Sequence, residues 1–372
     1  MAPLNILHVF RAPVGGLFRH VRDLARGQIA RGHRVGLIAD AKTGGEAADA
    51  VLKELQPSLA LGLTRIPMHR HVSPDDLVAL RHVIRRIDQT QADVVHGHGA
   101  KGGAFARLAR NRPSAVRAYM PHGGSLQFEP GSLAGMVYLT TEKLLLPRGD
   151  LYLFESDFSA QTFRRKIGAP RNLARVVHNG VAPAEFEPVA VVSDASDLLF
   201  LGEMRRLKGV DVLIDAVAHL RNQGRPVTAM LVGAGPDREA FGAQVDRLDL
   251  GRLVQFKPPM PARQAMTLGR IMVAPSRLDA MPYVVLEATA AGKPLIATKV
   301  GGIPEILGPF AGHLVPSEDP AALAQAIAGA LAAPAAAADT AAQLRARVAA
   351  QFSLDGMVDG ILKAYGEAIG TS

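Results

Sequence analysis

At 372 residues the chain is long enough for two domains, and its 48% apolar and 20% charged residues give the balance of a globular protein, which excludes intrinsic disorder and a coiled coil. It contains no Cys, so disulfide frameworks, thiolate zinc sites and cysteine nucleophiles are ruled out. The formal charge is +8, unevenly spread: Lys and Arg exceed Asp and Glu by nine within residues 1–190 and fall one short of them within residues 191–372. A basic half of that size attracts phosphorylated small molecules or an anionic membrane face. Aromatics are 5% with no Trp, and no basic run is interleaved with Tyr or Phe, so nucleic acid is not expected as a partner.

Residues 4–10 are a short apolar run with no basic segment before it, which reads as a first strand and not as a signal peptide. The expected location is cytoplasmic, with attachment to the inner membrane face left open. After the turn Arg11-Ala-Pro-Val-Gly-Gly16, Leu17, Val21, Leu24 and Ala25 repeat at helical spacing, and residues 34–39 resume as a strand. The alternation continues with helices at 75–89, 101–110, 133–146 and 159–167 and strands at 93–96, 115–119 and 151–155. Residues 183–197 carry no periodicity and read as a linker between a domain at 1–182 and one at 198–353. In the second domain strands are expected at 198–202, 228–232, 254–256, 271–274, 295–298 and 313–315, with helices at 210–221, 236–248, 261–268 and 284–291. Two Ala-rich helices follow. Their most apolar stretch, 321–338, is broken by Gln325 and Pro334 and is too weakly apolar to span a membrane. A final helix in 354–372 has Met357, Ile361, Leu362 and Tyr365 on one face and can pack on either domain, the N-terminal one included. The fold class is α/β: two doubly wound, Rossmann-like parallel-sheet domains, expected to face each other across a cleft, with ligands outside the carboxyl ends of the strands.

The segment running from Ala274 to Thr298 places Asp279 on a Pro-rich loop and Glu287 on the helix that follows it. Two carboxylates so placed can accept hydrogen bonds from vicinal hydroxyls of a sugar or a ribose. Gly15 and Gly16 lie at a strand-to-helix turn, where free amides attract an anion. His122, between Pro121 and Gly123, lies in a tight loop rather than in an apolar element. His96-Gly97-His98 has the spacing of a metal pair, but no third ligand stands near it in sequence, so no metal site is expected.

Taken together, Pro275-Ser276, Asp279, Glu287-Ala288, Gly292-Lys293-Pro294, Thr298 and Gly301-Gly302-Ile303-Pro304-Glu305 resemble the donor-site signature of retaining glycosyltransferase family four, of the GT-B fold. Leu201-Gly-Glu-Met-Arg-Arg-Leu-Lys-Gly-Val-Asp211 is similar to that family's phosphate-binding segment, although Glu203 stands where Arg is usual. The resemblance implies that Glu287 binds the donor ribose, Asp279 the donor hexose, and Lys208 with Arg205 the diphosphate; Arg206 is the other choice for the second cation. It also implies Gly15 and Gly16 against the diphosphate, Gly233 in a turn beside the nucleotide, and His122 near the reacting sugar. Met281, Pro282 and Tyr283 follow the first acid, where the family has Gly-x-Gly, and are placed at the donor by the same resemblance.

The implied activity is metal-independent transfer of a hexosyl group, with retention, from a UDP- or GDP-sugar to a saccharide acceptor. That acceptor is lipid-linked, as in polysaccharide assembly, or soluble and phosphorylated. No cofactor beyond this donor substrate is expected. Two other readings are a nucleotide-sugar epimerase of the same fold and a non-catalytic two-lobed sugar-binding protein.

Overall fold

A computed structural model describes residues 2–109, 112 and 114–370. The chain divides into two compact units, one formed by Met1–Asn179 with Leu354–Ser372, the other by Gly180–Ser353.

In the first unit β1 (Asn5–Phe10), α1 (Gly15–Ala30), β2 (Arg34–Asp40), α2 (Gly45–Leu55), β3 (Leu63–Ile66), α3 (Asp75–Thr90), β4 (Val94–His98), α4 (Gly99–Leu108), β5 (Val116–Met120), α5 (Leu133–Leu145), β6 (Leu151–Phe154), α6 (Asp157–Lys166) and β7 (Leu173–Val176) alternate along the chain. The seven strands form one parallel sheet in the order β3-β2-β1-β4-β5-β6-β7. Its central strands are buried on both faces, so they are mainly apolar without inside–outside alternation, His8, His96, His98 and Arg117 being the buried polar exceptions. The edge strands β3 and β7 and the helix α2 are not anticipated by the sequence reading. Each edge strand has only four residues, most of them half-buried, so neither shows a usable period.

The second unit holds β8 (Ser196–Leu201), α7 (Val210–Asn222), β9 (Ala229–Val232), α8 (Arg238–Arg247), β10 (Val254–Lys257), α9 (Ala262–Met266), β11 (Gly269–Ala274), α10 (Tyr283–Ala290), β12 (Leu295–Ala297), α11 (Ile303–Leu307), α12 (Pro320–Ala332) and α13 (Pro334–Gln351). Its five parallel strands run β10-β9-β8-β11-β12. The strand expected at 313–315 reduces to a single bridge between Thr298 and Val315, because a short helical turn occupies Gly308–His313. The helices α12 and α13 meet at an angle of 102°, and no single helix among the described residues is long and apolar enough to cross a membrane.

The last helix, α14 (Leu354–Gly370), belongs to the first unit. Met357, Val358, Ile361, Leu362 and Tyr365 pack with Leu4, Ile6, Leu24, Val94 and Leu151 over one face of the sheet. Burying each aliphatic side chain contributes about 1.5–3 kcal/mol, which fixes the helix there far more firmly than its surface pairs Arg31–Asp355 and Arg175–Glu367.

Not every cation of the basic first half lies on the surface. Arg107, on α4, is wholly buried: its Nη2 lies 2.7 Å from Glu142 Oε2 and its guanidinium sits 3.9 Å over the Tyr119 ring. Tyr119 Oη and Ser125 Oγ donate to the other oxygen of Glu142 at 2.6 and 2.9 Å. A charge in the interior needs this much compensation. Arg110, three residues on, lies outside the described residues.

Candidate functional site

In both sheets the strand order reverses at one place, between β8 and β11 in the second unit and between β1 and β4 in the first. Loops leaving neighbouring strands in opposite directions open a crevice there, where doubly wound folds seat their ligands.

In the second unit the two loops at that point are 202–209, after β8, and 275–282, after β11. They are tied together by backbone, since the Arg277 amide donates to the Leu207 carbonyl at 2.9 Å. They are also tied by side chains: Lys208 Nζ lies 2.6 Å from Asp279 Oδ2, and Ser276 Oγ donates to the same oxygen at 3.2 Å. Both members of the pair are partly exposed, Lys208 at 26% and Asp279 at 15% of the side chain. Asp279 is therefore not the cap of the next helix, whose N-cap is Pro282 and receives no side-chain bond. Glu287 is half-buried on α10, the helix that directly follows the 275–282 loop.

Other predicted residues frame these. Arg205 keeps 31% of its side chain exposed and lies 3.7 Å from Glu203, whereas Arg206 is 77% exposed. Gly233 has φ +149, and a Cβ there would collide with the carbonyl of Gly202, so the turn after β9 presses on the Lys208 loop at a position only Gly fits. Gly301, at φ +58, is similarly pressed on the Asp279 carbonyl. The Gly302 amide donates to that same carbonyl at 3.0 Å, so the Gly301-Gly302 turn holds Asp279 in place. Met281, Pro282 and Tyr283 are buried, Met281 in the core with Val285 and Ile303.

In the first unit the switch point is lined by histidines. Gly15, at φ +63, and Gly16 are exposed at the start of α1, whose N-cap Val14 offers no side-chain bond. His122 follows β5 in the left-handed region at φ 51, and its Nε2 lies 2.9 Å from His98 Nδ1. The His98 ring continues inward, its Nε2 2.9 Å from His8 Nδ1, and His8 Nε2 reaches Gln28 Oε1 at 2.8 Å. His20 packs edge-on to His122 with centroids 4.7 Å apart and bonds Asn179 Oδ1 at 3.0 Å. Burial pushes the imidazoles of His8 and His20 down to about 4, and burial with neighbouring imidazoles holds His96, His98 and His122 well below the ordinary histidine range. All five are neutral at pH 7.

His8, His20, Gln28 and Tyr365 have no place in the sequence reading of the site. The parallel register sets His8 opposite His96, 88 residues away in sequence, so a third imidazole stands beside His96 and His98. The signal in the sequence is His8, a polar residue set between Ile6-Leu7 and Val9-Phe10 in the first strand. Ser156, just after β6, caps α6 by accepting from the Ser159 amide at 3.1 Å, a structural role.

Two parallel sheets in tandem, each with a polar cluster gathered at its switch point, define a doubly wound two-domain α/β protein. The sequence profile described as Glycosyltransferase Family 4 matches residues 14–185, and that of Glycosyl transferases group 1 matches residues 195–333. A putative colanic acid biosynthesis glycosyltransferase, WcaL of Escherichia coli, is 30% identical over 200 residues, 50% of this chain and 49% of that protein, so the match spans about half the length of that relative. A D-inositol 3-phosphate glycosyltransferase of a Nocardioides species is 26% identical over 84% of this chain and 76% of its own. Among solved structures, Anabaena HepE in complex with UDP-glucose superposes with a TM-score of 0.80 over 98% of this chain and all of that one, at 20% identity, which shows a shared fold. The chain belongs to the family-four glycosyltransferases, and its fold is GT-B.

Proposed function

We propose that the protein transfers a hexosyl group from a nucleoside diphosphate sugar to an acceptor hydroxyl with retention of configuration. The observation that carries this reading is the Lys208–Asp279 pair bridging the two loops at the switch point of the second sheet, with Glu287 on the helix that follows. When the donor enters, Lys208 exchanges Asp279 for the diphosphate, and the carboxylate it releases accepts hydrogen bonds from the hexose. Glu287 accepts from the ribose diol, as a carboxylate with two acceptor oxygens is suited to do. The acceptor oxygen then attacks the anomeric carbon on the face from which the diphosphate departs. The new C–O bond forms as the C–O bond to phosphate breaks, and a phosphate oxygen takes the acceptor proton. Charge growing on the leaving group is met by Lys208 and Arg205.

This arrangement implies that no hard divalent cation is required. Turnover is expected to persist in excess EDTA; abolition by EDTA with recovery on adding Mg²⁺ or Mn²⁺ contradicts the metal-independent step. Glu287→Gln replaces a carboxylate with an amide that accepts through one atom only, so donor affinity should fall by about 1–3 kcal/mol. Calorimetric titration with UDP- and GDP-hexoses reads this loss, and an unchanged affinity in the folded variant moves the ribose site elsewhere.

The acceptor we favour is a lipid-linked saccharide, with work at the inner membrane face. Support comes from the basic first half and from the surface of the first unit: Arg81, Arg85, Arg164 and Arg165 are exposed, and so are the apolar Leu133, Met136, Val137 and Leu144 of α5. Lys166 adds little to this surface, being bonded to the carbonyls of Leu126 and Phe128. Each cation near an anionic surface adds about 1 kcal/mol. Flotation with phosphatidylglycerol vesicles should therefore succeed at low salt and weaken at high salt, and no flotation at low salt argues for a soluble acceptor.

A further inference from the structure

We propose that His8, His96 and His98 form a three-imidazole binding site for a divalent transition-metal ion, with Zn²⁺ the expected occupant, inside the first unit. The parallel register of β1 and β4 pairs His8 with His96, and His98 lies two residues further along the same face of β4. All three side chains are buried. One ring nitrogen from each lies within 4.8 Å of the other two, and His8 Nδ1 is 2.9 Å from His98 Nε2. A tetrahedral ion with Zn–N bonds of about 2.0–2.1 Å holds its ligand nitrogens roughly 3.4 Å apart, so small shifts seat it.

The outer nitrogen of each ring is already engaged. His8 Nε2 bonds Gln28 Oε1 at 2.8 Å, His96 Nδ1 bonds Tyr365 Oη at 2.7 Å, and His98 Nδ1 bonds His122 Nε2 at 2.9 Å. Outer partners of this kind orient metal-bound imidazoles and fix which nitrogen faces the ion. The remaining nitrogen of His96, Nε2, is buried and without a hydrogen-bond partner, an orphan that a metal bond satisfies. Nitrogen-only ligation selects Zn²⁺, Co²⁺, Ni²⁺ or Cu²⁺ over Mg²⁺ and Ca²⁺, which take oxygen, so recovery of the transfer step by added Mg²⁺ would not point to this site. With an ion on Nε2 of His98, its Nδ1 carries the proton and donates to His122 Nε2. The ion thereby fixes His122 as the tautomer protonated on Nδ1.

The test is metal analysis of protein produced in zinc-supplemented medium, with a parallel cobalt preparation read by its visible d–d bands. About one equivalent per chain and tetrahedral cobalt bands are expected, both lost in His96→Gln. Tyr365→Phe, which removes an outer partner and no ligand, should weaken zinc affinity by about 10- to 100-fold in competition with a chromophoric chelator. Folded wild-type protein without bound metal overturns the proposal, as does full metal content in His96→Gln or its loss in His20→Asn instead. If His96→Gln does not fold, unchanged zinc affinity in Tyr365→Phe overturns it. Because the readout is metal content and spectrum, it stands or falls independently of sugar transfer.

Discussion

Lys208→Ala is expected to lower turnover by roughly tenfold to a thousandfold, with a much smaller change in donor affinity. Lys208 is held at the switch point by Asp279 at 2.6 Å, on a loop pinned by the bond from Arg277 to Leu207. It is therefore an oriented cation with little conformational freedom to lose, able to follow negative charge as it grows on the departing diphosphate. Removing one preorganised group of that kind costs about 2.7–4 kcal/mol of barrier where it acts alone, and less where a neighbour such as Arg205 shares the load. The variant also leaves Asp279 without its cation, so a folded-state check belongs with the kinetics. Steady-state rates with saturating donor separate the outcomes: a change confined to KM means that Lys208 binds the donor without assisting departure.

Glu142→Leu should destabilise the first unit by about 3–5 kcal/mol, the cost of leaving a buried charge uncompensated. Arg107 loses its ion-pair partner at 2.7 Å, and the hydroxyls of Tyr119 and Ser125 lose the oxygen they share. At about 2–4 °C per kcal/mol for a unit of this size, the loss in Tm is on the order of 10 °C. The double variant Arg107→Met with Glu142→Leu should recover a good part of it, because replacing both charges with apolar side chains removes the desolvation penalty as well as the attraction. A single variant as stable as the parent would mean that water reaches Arg107.

The parallel core was legible because β1, β4, β5, β8 and β11 are apolar runs between turn signals, a pattern that depends only on neighbours in sequence. The donor loops were legible too, since Asp279, Glu287 and Lys208 lie in short segments with distinctive Gly and Pro punctuation. What escaped was whatever depends on register or distant pairing. The edge strands β3 and β7 are too short to show a period, and Arg107 looks like any helix-surface cation until Glu142, 35 residues on, is folded against it. The histidine cluster is the clearest case. His8, His20 and His122 come from three different elements, and only the β1–β4 register and the packing of α1 and α14 on the sheet bring them together with His96, His98 and Tyr365.

The central claim, that the second unit is built to hold a nucleoside diphosphate sugar through Lys208, Asp279 and Glu287, is tested most directly by calorimetric titration of the purified chain with a panel of UDP- and GDP-hexoses. The account predicts saturable one-site binding of at least one of them without added divalent cation, weakened by Glu287→Gln. Absence of binding across the panel in folded protein, with or without Mg²⁺, would contradict it.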